Sequence, residues 1–267
     1  SSGATSVSAS GHTIHFIEAN GSLWGLGDNH YSGTLGVAGT GFSSPVTVRP
    51  SGISQVENGS HHSMFIEANG SLWTFGRGDY GALGNEGGGT STFPVKVIDA
   101  NVTQAAGGLH RTFAVKNDGS LWAVGSNNEG ALGDGTTNNL TSFQQVVNEN
   151  VTSVAAGRYH TLFSKTGGSL WGMGAGQCFG ESGNQLTPVK FVDANITKFD
   201  AGNSHTLFVK TDGSLWAIGG NANGELGDGS STRRDDPVMI FDSDVIGVAA
   251  GSGFSAIIKT GGSLWTT

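Results

Sequence analysis

The phrase Gly-Ser-Leu-Trp is written six times, beginning at Gly21, Gly70, Gly119, Gly168, Gly213 and Gly262, at spacings of 49, 49, 49, 45 and 49 residues. Self-similarity at a fixed period means that each unit cannot bury its apolar surface alone and must stack on its neighbour. The 267 residues therefore read as a single domain, 1–267, counted in units: 4–52, 53–101, 102–150, 151–195, 196–244 and a partial 245–267. The 46 glycines recur at fixed offsets beside Leu, Trp, Val and Phe, so they mark turns rather than low-complexity disorder.

Each unit spells about four short strands and no helical period. In the first, 7–12 and 13–18 read as strands, Asn20-Gly21 as a turn and 23–27 as a third strand. The pairs Asn20-Gly21, Asn69-Gly70, Asp118-Gly119, Gly167-Gly168, Asp212-Gly213 and Gly261-Gly262 predict two-residue type I′ hairpins, which need positive φ twice. A Gly-rich loop follows, with a Leu-Gly pair at Leu35, Leu83, Leu132 and Leu226 that the fourth unit replaces with Ser182-Gly183. Pro45, Pro94, Pro188 and Pro237, with Phe143 in the third unit, open a last strand whose first-position Pro suits a sheet edge. Leu215 and Trp216 alternate in direction while Leu207, Phe208 and Val209 run consecutively, so both sheet faces are apolar. A sheet apolar on both sides must be sandwiched between two neighbours, which favours an all-β propeller of four-stranded blades over a sandwich or β-helix.

The units Val-x-x-Val-x-Ala-Gly-x-x-His-Thr, Lys-x-Asp-Gly-Ser-Leu-Trp-Ala-x-Gly and Asn-x-x-Gly-x-Leu-Gly-Asp-Gly, clearest from Ile196 to Gly229, resemble the regulator-of-chromosome-condensation (RCC1) repeat family. The resemblance implies an RCC1-like β-propeller, usually of seven blades, of which five full repeats and a partial sixth are present. It also permits nucleotide exchange on a small GTPase, the activity of the family's founding members. No long insertion offers a wedge for that exchange. The chain opens on Ser1 and stops inside its sixth phrase, so it reads as a piece of a longer protein whose open blade ends invite self-association.

Chemistry is sparse. Charged residues are 13%, the net charge is −8, and no basic run exceeds Arg233-Arg234, which argues against nucleic acid. No apolar run approaches the ~18 residues of a membrane span, and no signal peptide is visible. Cys178 is alone and reads as packing. His12, His61, His62, His110, His160 and His205 fall eight or nine residues before the repeat Gly, with Thr13, Arg111 and Phe254 completing the eighth place. Equivalent positions on successive blades are a sheet apart, whereas metal ligands sit ~2 Å from one point, so these imidazoles read as structural bonds to a neighbouring blade's backbone. No metal, cofactor or acid–base constellation is nominated, and the chain reads as a non-enzyme. Arg77-Gly78-Asp79 and the sequons at Asn101, Asn139, Asn150 and Asn195 fall at turn positions. Six Trp residues, Trp24, Trp73, Trp122, Trp171, Trp216 and Trp265, are assigned to the frame.

One row varies while the frame repeats: the loop after the Trp strand. It supplies the candidate partner-binding residues His30, Tyr31, Arg77, Asp79, Tyr80, Asn128, Glu129, Gln177, Phe179, Asn221 and Asn223. Loop aromatics mixed with amides and charges suit protein recognition. The plainer alternative, that Tyr31, Tyr80 and Phe179 only cover the blade tips, stays open at this level. Low charge and abundant Gly, Ser, Thr and Asn suggest a scaffold module of a bacterial surface or secreted protein.

Overall fold

The computed structural model describes residues 3–30 and 33–267. Five four-stranded antiparallel sheets are each wound in sequence order, followed by a three-stranded sixth. The first contains Ala4–Ser10, Thr13–Glu18, Leu23–Asp28 and Gly41–Arg49; the second Ile53–Asn58, His62–Glu67, Leu72–Gly76 and Ser91–Ile98. The third contains Val102–Gly107, Arg111–Lys116, Leu121–Gly125 and Leu140–Val147; the fourth Val151–Ala156, His160–Lys165, Ser169–Ala175 and Asn184–Val192. The fifth contains Ile196–Ala201, His205–Lys210, Leu215–Gly219 and Arg234–Phe241; the sixth Val245–Ala250, Ser255–Lys259 and Leu264–Thr266. The chain divides into two compact units, Ser1–Ser126 with Asn138–Glu149, and Asn127–Thr137 with Asn150–Thr267.

The hairpins differ from expectation. In the first blade the Gly21 N–H donates to the Glu18 carbonyl at 2.8 Å and the Glu18 N–H to Ser22 at 3.0 Å, which closes a three-residue loop rather than a two-residue one. Gly21, Gly70, Gly119 and Gly213 sit at φ between 77° and 81°, while the Asn or Asp before each is not in the positive-φ region. This is the turn-plus-bulge hairpin, with only its last residue left-handed. The Asn and Asp act through their side chains instead: Asn20 and Asp118 each accept the N–H of the Ser two residues on at 2.9 Å. Only the Gly167-Gly168 and Gly261-Gly262 pairs carry positive φ twice.

Pro45, Pro94, Pro188 and Pro237 lie on the outer fourth strands, where an absent ladder donor is tolerated, yet inside them rather than at their start. Pro45 falls in the stretch between Val46, paired with Gly25, and Phe42, paired with Gly27, where the register shifts. A bulge there tolerates the missing N–H.

Both faces of the middle strands are buried, as the consecutive apolar runs predict. In the first unit, Phe65 joins Ile17, Leu23 and Phe75, while its neighbour Met64 joins Leu72, Val102 and Ala114 across the opposite face. In the second unit Phe208 packs with Leu162 and Phe179, and Leu207 with Val245 and Ile257. Side-chain alternation thus sends adjacent residues to different neighbouring blades. Trp24, Trp73, Trp122, Trp171 and Trp216 are half-buried. Several stack on the second strand: Trp216 lies 6.5 Å from Phe208 at 7° and under the Lys210 ammonium at 4.1 Å. Trp265, in the three-stranded sheet, is exposed.

First strands of neighbouring blades are stitched by side chains. Gln55 bonds both the N–H and the carbonyl of Ala105, at 3.3 and 3.4 Å. Asn58 spans to Ser8, and Asp200 accepts the Ala250 N–H at 2.7 Å.

Candidate functional site

His62, His160 and His205 belong to the frame, and their Nε2 partner is a hydroxyl of the next blade. His62 Nε2 lies 2.9 Å from Thr112 Oγ1, whose own proton goes to the Ala82 carbonyl at 2.7 Å. Because that proton is engaged, the Nε2–H must be the donor. The relay therefore runs from the second strand of one blade to the second strand of the next and back to the loop of the blade that holds the histidine. His205, Ser255 and the Glu225 carbonyl repeat it at 3.0 and 2.6 Å. His160 bonds Thr206 at 3.0 Å in the same manner. Burial drives the His62 value down to about 3, so the ring is neutral, as a single-proton relay requires. Among the described residues, no three His, Cys, Asp or Glu side chains are arranged to hold a metal ion.

His15 went unremarked in the sequence. It sits among core residues, donates from Nδ1 to Asn58 Oδ1 at 2.9 Å, stands edge-on to Phe75 at 5.6 Å, and is lowered to about 4 by burial.

The loops after the Trp strands are of two kinds, set by one residue eight positions past the repeat Gly. Asn29, Asn127 and Asn221 are buried plugs. Asn221 Oδ1 accepts the Leu226 N–H at 3.0 Å and its Nδ2 donates to the Ser230 and Thr232 carbonyls at 3.1 Å. Asn29 and Asn127 make the same clamp on Leu35 and Leu132. In the second and fourth blades this residue is Gly78 or Gly176, where an added Cβ would meet the carbonyl oxygen of Gly89 or Gly183 at 2.1 or 2.5 Å. There the loop's own backbone fills the amide's place, and a short 3-10 turn forms at Asp79–Gly81 and Gly176–Cys178. The signal was legible as Asn or Gly in one register.

The candidate row separates accordingly. In the first unit His30 and Arg77 are exposed, Asp79 is half-buried, and Tyr80 is 51% exposed at φ 59°. Tyr31 lies outside the described residues. Arg77 Nε pairs with Asp79, and Tyr80 leans on His110 at 5.2 Å, which stacks on His61 at 5.3 Å. Burial holds His61 and His110 below the usual imidazole value, followed by Arg77 for His61 and by His61 for His110. The surface is thus an uncharged aromatic platform beside an ion pair.

In the second unit Asn128, Gln177 and Asn223 are exposed and Glu129 is half-buried. Two members of the row are corrected. Asn221 is 1% exposed and is the loop plug described above. Phe179 is also 1% exposed, because the fourth repeat lacks the buried Leu of the Leu-Gly pair. Its ring lies against Gly172 as Leu35 lies against the equivalent Gly25, so it fills the vacant core position.

The chain matches the Regulator of chromosome condensation (RCC1) repeat over residues 69–115, 118–164 and 212–258, more than half its length. A second form of that repeat matches 151–180 and 196–225. No curated protein matches the chain. Human WBSCR16 superposes with a TM-score of 0.85 at 20% identity, over 96% of this chain and 72% of that one. Yeast RCC1 (Prp20), solved with Kap60 bound, gives 0.86 at 19%, over 98% and 69%. Prp20p from Saccharomyces cerevisiae, whose binding to Gsp1p and histones was characterised with its structure, gives 0.84 at 20%, over 96% and 69%. At these identities the likeness establishes the fold, an all-β propeller. The bacterial type expected above is not borne out by these matches. With its repeats matched over most of the length they span, the chain belongs to the regulator-of-chromosome-condensation (RCC1) repeat family.

Proposed function

We propose that the chain is a non-enzymatic propeller that binds a protein partner through its blade loops, anchored in the first unit by the Tyr80 corner. One observation carries this reading. Tyr80 is held exposed in a left-handed backbone conformation, which costs a non-glycine residue ~1 kcal/mol or more and concentrates at functional sites. Tyrosine and arginine are among the residue types enriched at binding hot spots, and Arg77 lies three residues from Tyr80 in the same loop. That similar propellers bind proteins, Prp20 with Kap60 and Prp20p with Gsp1p and histones, supports the class of partner.

The test replaces Tyr80 with a photo-crosslinking phenylalanine and compares it with the same replacement at Phe93, an exposed aromatic on the outer strand of the same blade. A partner captured from position 80 alone, and weakened tenfold or more by Tyr80→Ala, is the expected result. Equal capture from both positions refutes the reading. Guanine-nucleotide exchange on a small GTPase is a second reading, drawn from the Prp20 likeness. It fails if the chain leaves the rate of GDP release from Gsp1p unchanged.

A further inference from the structure

The same end of the first unit holds a polar cavity of about 230 Å3. Its wall carries His12 from the first blade's opening turn, His30 and Asp28 from its loop, and His61 and Arg77 from the second blade. Backbone bonds fix their spacing: the Arg77 N–H donates to the His61 carbonyl at 2.8 Å and the Asp28 N–H to the His12 carbonyl at 2.9 Å. One oxygen of the lining carboxylate is engaged, since Asp28 Oδ1 accepts the His30 N–H at 2.7 Å, while its negative charge stays at the wall. Asp79 engages Arg77 through Nε, and the Arg77 side chain lines the cavity. Among the described residues, the lining Ser10 and Ser60 hydroxyls have no hydrogen bond. The Arg77 guanidinium and the Ser10 and Ser60 hydroxyls thus offer donors around a space large enough for several heavy atoms.

We infer that this cavity takes a tetrahedral oxyanion of the sulfate or phosphate type, free or carried on a partner's side chain, and holds it more tightly as the pH falls. A guanidinium with converging imidazoles and hydroxyls matches the acceptor-only oxygens of such an ion. The pH dependence follows from the groups that face one another. His12, His30 and His61 meet Arg77 at the cavity, with His110 and Arg111 behind them from the third blade and Asp28 and Asp79 as the opposing charges. Burial first, then Arg77, disfavours a proton on His61, and His12 adds to that repulsion while Asp79 offsets part of it. An anion set among these groups reverses the repulsion, so protons are taken up as it binds. Each proton taken up strengthens binding by at most tenfold per pH unit. The inference shares a face with the Tyr80 reading but does not need that reading's partner.

Calorimetry of the purified chain with inorganic sulfate, which stays dianionic between pH 7.5 and 5.5, tests it in buffers of differing ionisation enthalpy. The expected result is affinity at least fivefold higher at pH 5.5 with net proton uptake, lost tenfold or more in Arg77→Gln and in the exposed-site variant His12→Gln, and retained in Phe93→Ala. A phosphothreonine peptide binding over tenfold more tightly than inorganic phosphate assigns the ion to a partner's modified side chain; equal affinities assign it to the free ion. Absence of sulfate binding at pH 5.5, or binding indifferent to Arg77→Gln, overturns the inference. Because no partner protein enters this experiment, its failure and a failure of crosslinking at position 80 are read separately.

Discussion

Replacing Thr112 with valine tests the relay that couples blades in the first unit. Thr112 is fully buried; its hydroxyl accepts from His62 Nε2–H and donates to the Ala82 carbonyl. Valine keeps the shape and orphans both partners. Each buried polar group left without a bond costs ~1–3 kcal/mol, so the loss for two is about 2–6 kcal/mol, offset by at most ~1 kcal/mol from the added methyl. With ~1.4 kcal/mol per factor of ten, a net loss near 3 kcal/mol lowers amide-exchange protection about a hundredfold. Exchange measured on the strands His62–Glu67 and Arg111–Lys116 reads this locally, where a single unfolding midpoint would assume two-state behaviour. Thr103→Val is the control, because Thr103 is exposed and its bond to the Val115 carbonyl is 3.2 Å. In a His62→Ala background, Thr112→Val should cost about 1–2 kcal/mol less, since the orphaned donor is gone. Protection falling less than tenfold, or no more than in the control, would show that the relay does not hold the blades together.

Acid should weaken the first unit. His15 and His62 are lowered to about 4 and 3 from 6.5, so their stabilisation is complete above 6.5 and is lost as the pH falls toward those values. Between pH 7.5 and 5 this is ~2 kcal/mol for each ring, visible as a falling Tm. Asp200, raised to about 6 by burial, carries the opposite sign: its contribution is complete below 3.8 and lost as the pH rises through 6. Asn221→Ala removes the amide that ties Leu226, Ser230 and Thr232 together, costs ~2–4 kcal/mol, and should open 222–233 to proteolysis without unfolding the blade. The three-stranded sixth sheet exposes the paired residues Ile258 and Leu264; the chain should self-associate by solution mass, and Ile258→Lys with Leu264→Lys should abolish it.

Blade number, strand order and the double-sided core are legible in the sequence because they are properties of a period: a repeated Gly-Ser-Leu-Trp fixes the register, and Leu207-Phe208-Val209 declares two buried faces. What was misread turns on geometry that composition does not encode. Asn-Gly and Asp-Gly suit two hairpin types, and loop closure one residue later selects the bulged one. The histidine relay was legible as structural, but its hydroxyl partner sits about fifty residues away, at the same place in the next repeat, and only stacking brings the two together. Phe179 was misplaced because its burial depends on what the fourth repeat lacks.

That last case explains why the second blade, rather than the fourth, presents an aromatic. Both have the Gly-type loop and a short 3-10 turn, which begins one position earlier in the fourth blade than in the second. Counted from the repeat Gly, Tyr80 stands ten positions on, where the fourth blade has Cys178, and Phe179 stands eleven on, where the second blade has Gly81. The second blade keeps Leu83 in the core, so no apolar vacancy draws its aromatic inward, and Gly81, at φ 86°, lies too close to the Leu140 carbonyl to carry a side chain. The ring is therefore left outside at Tyr80. The fourth blade has no such Leu, and Phe179 turns in to meet Phe191 at 5.3 Å. One missing core residue thus decides whether a loop aromatic is buried as packing or left exposed.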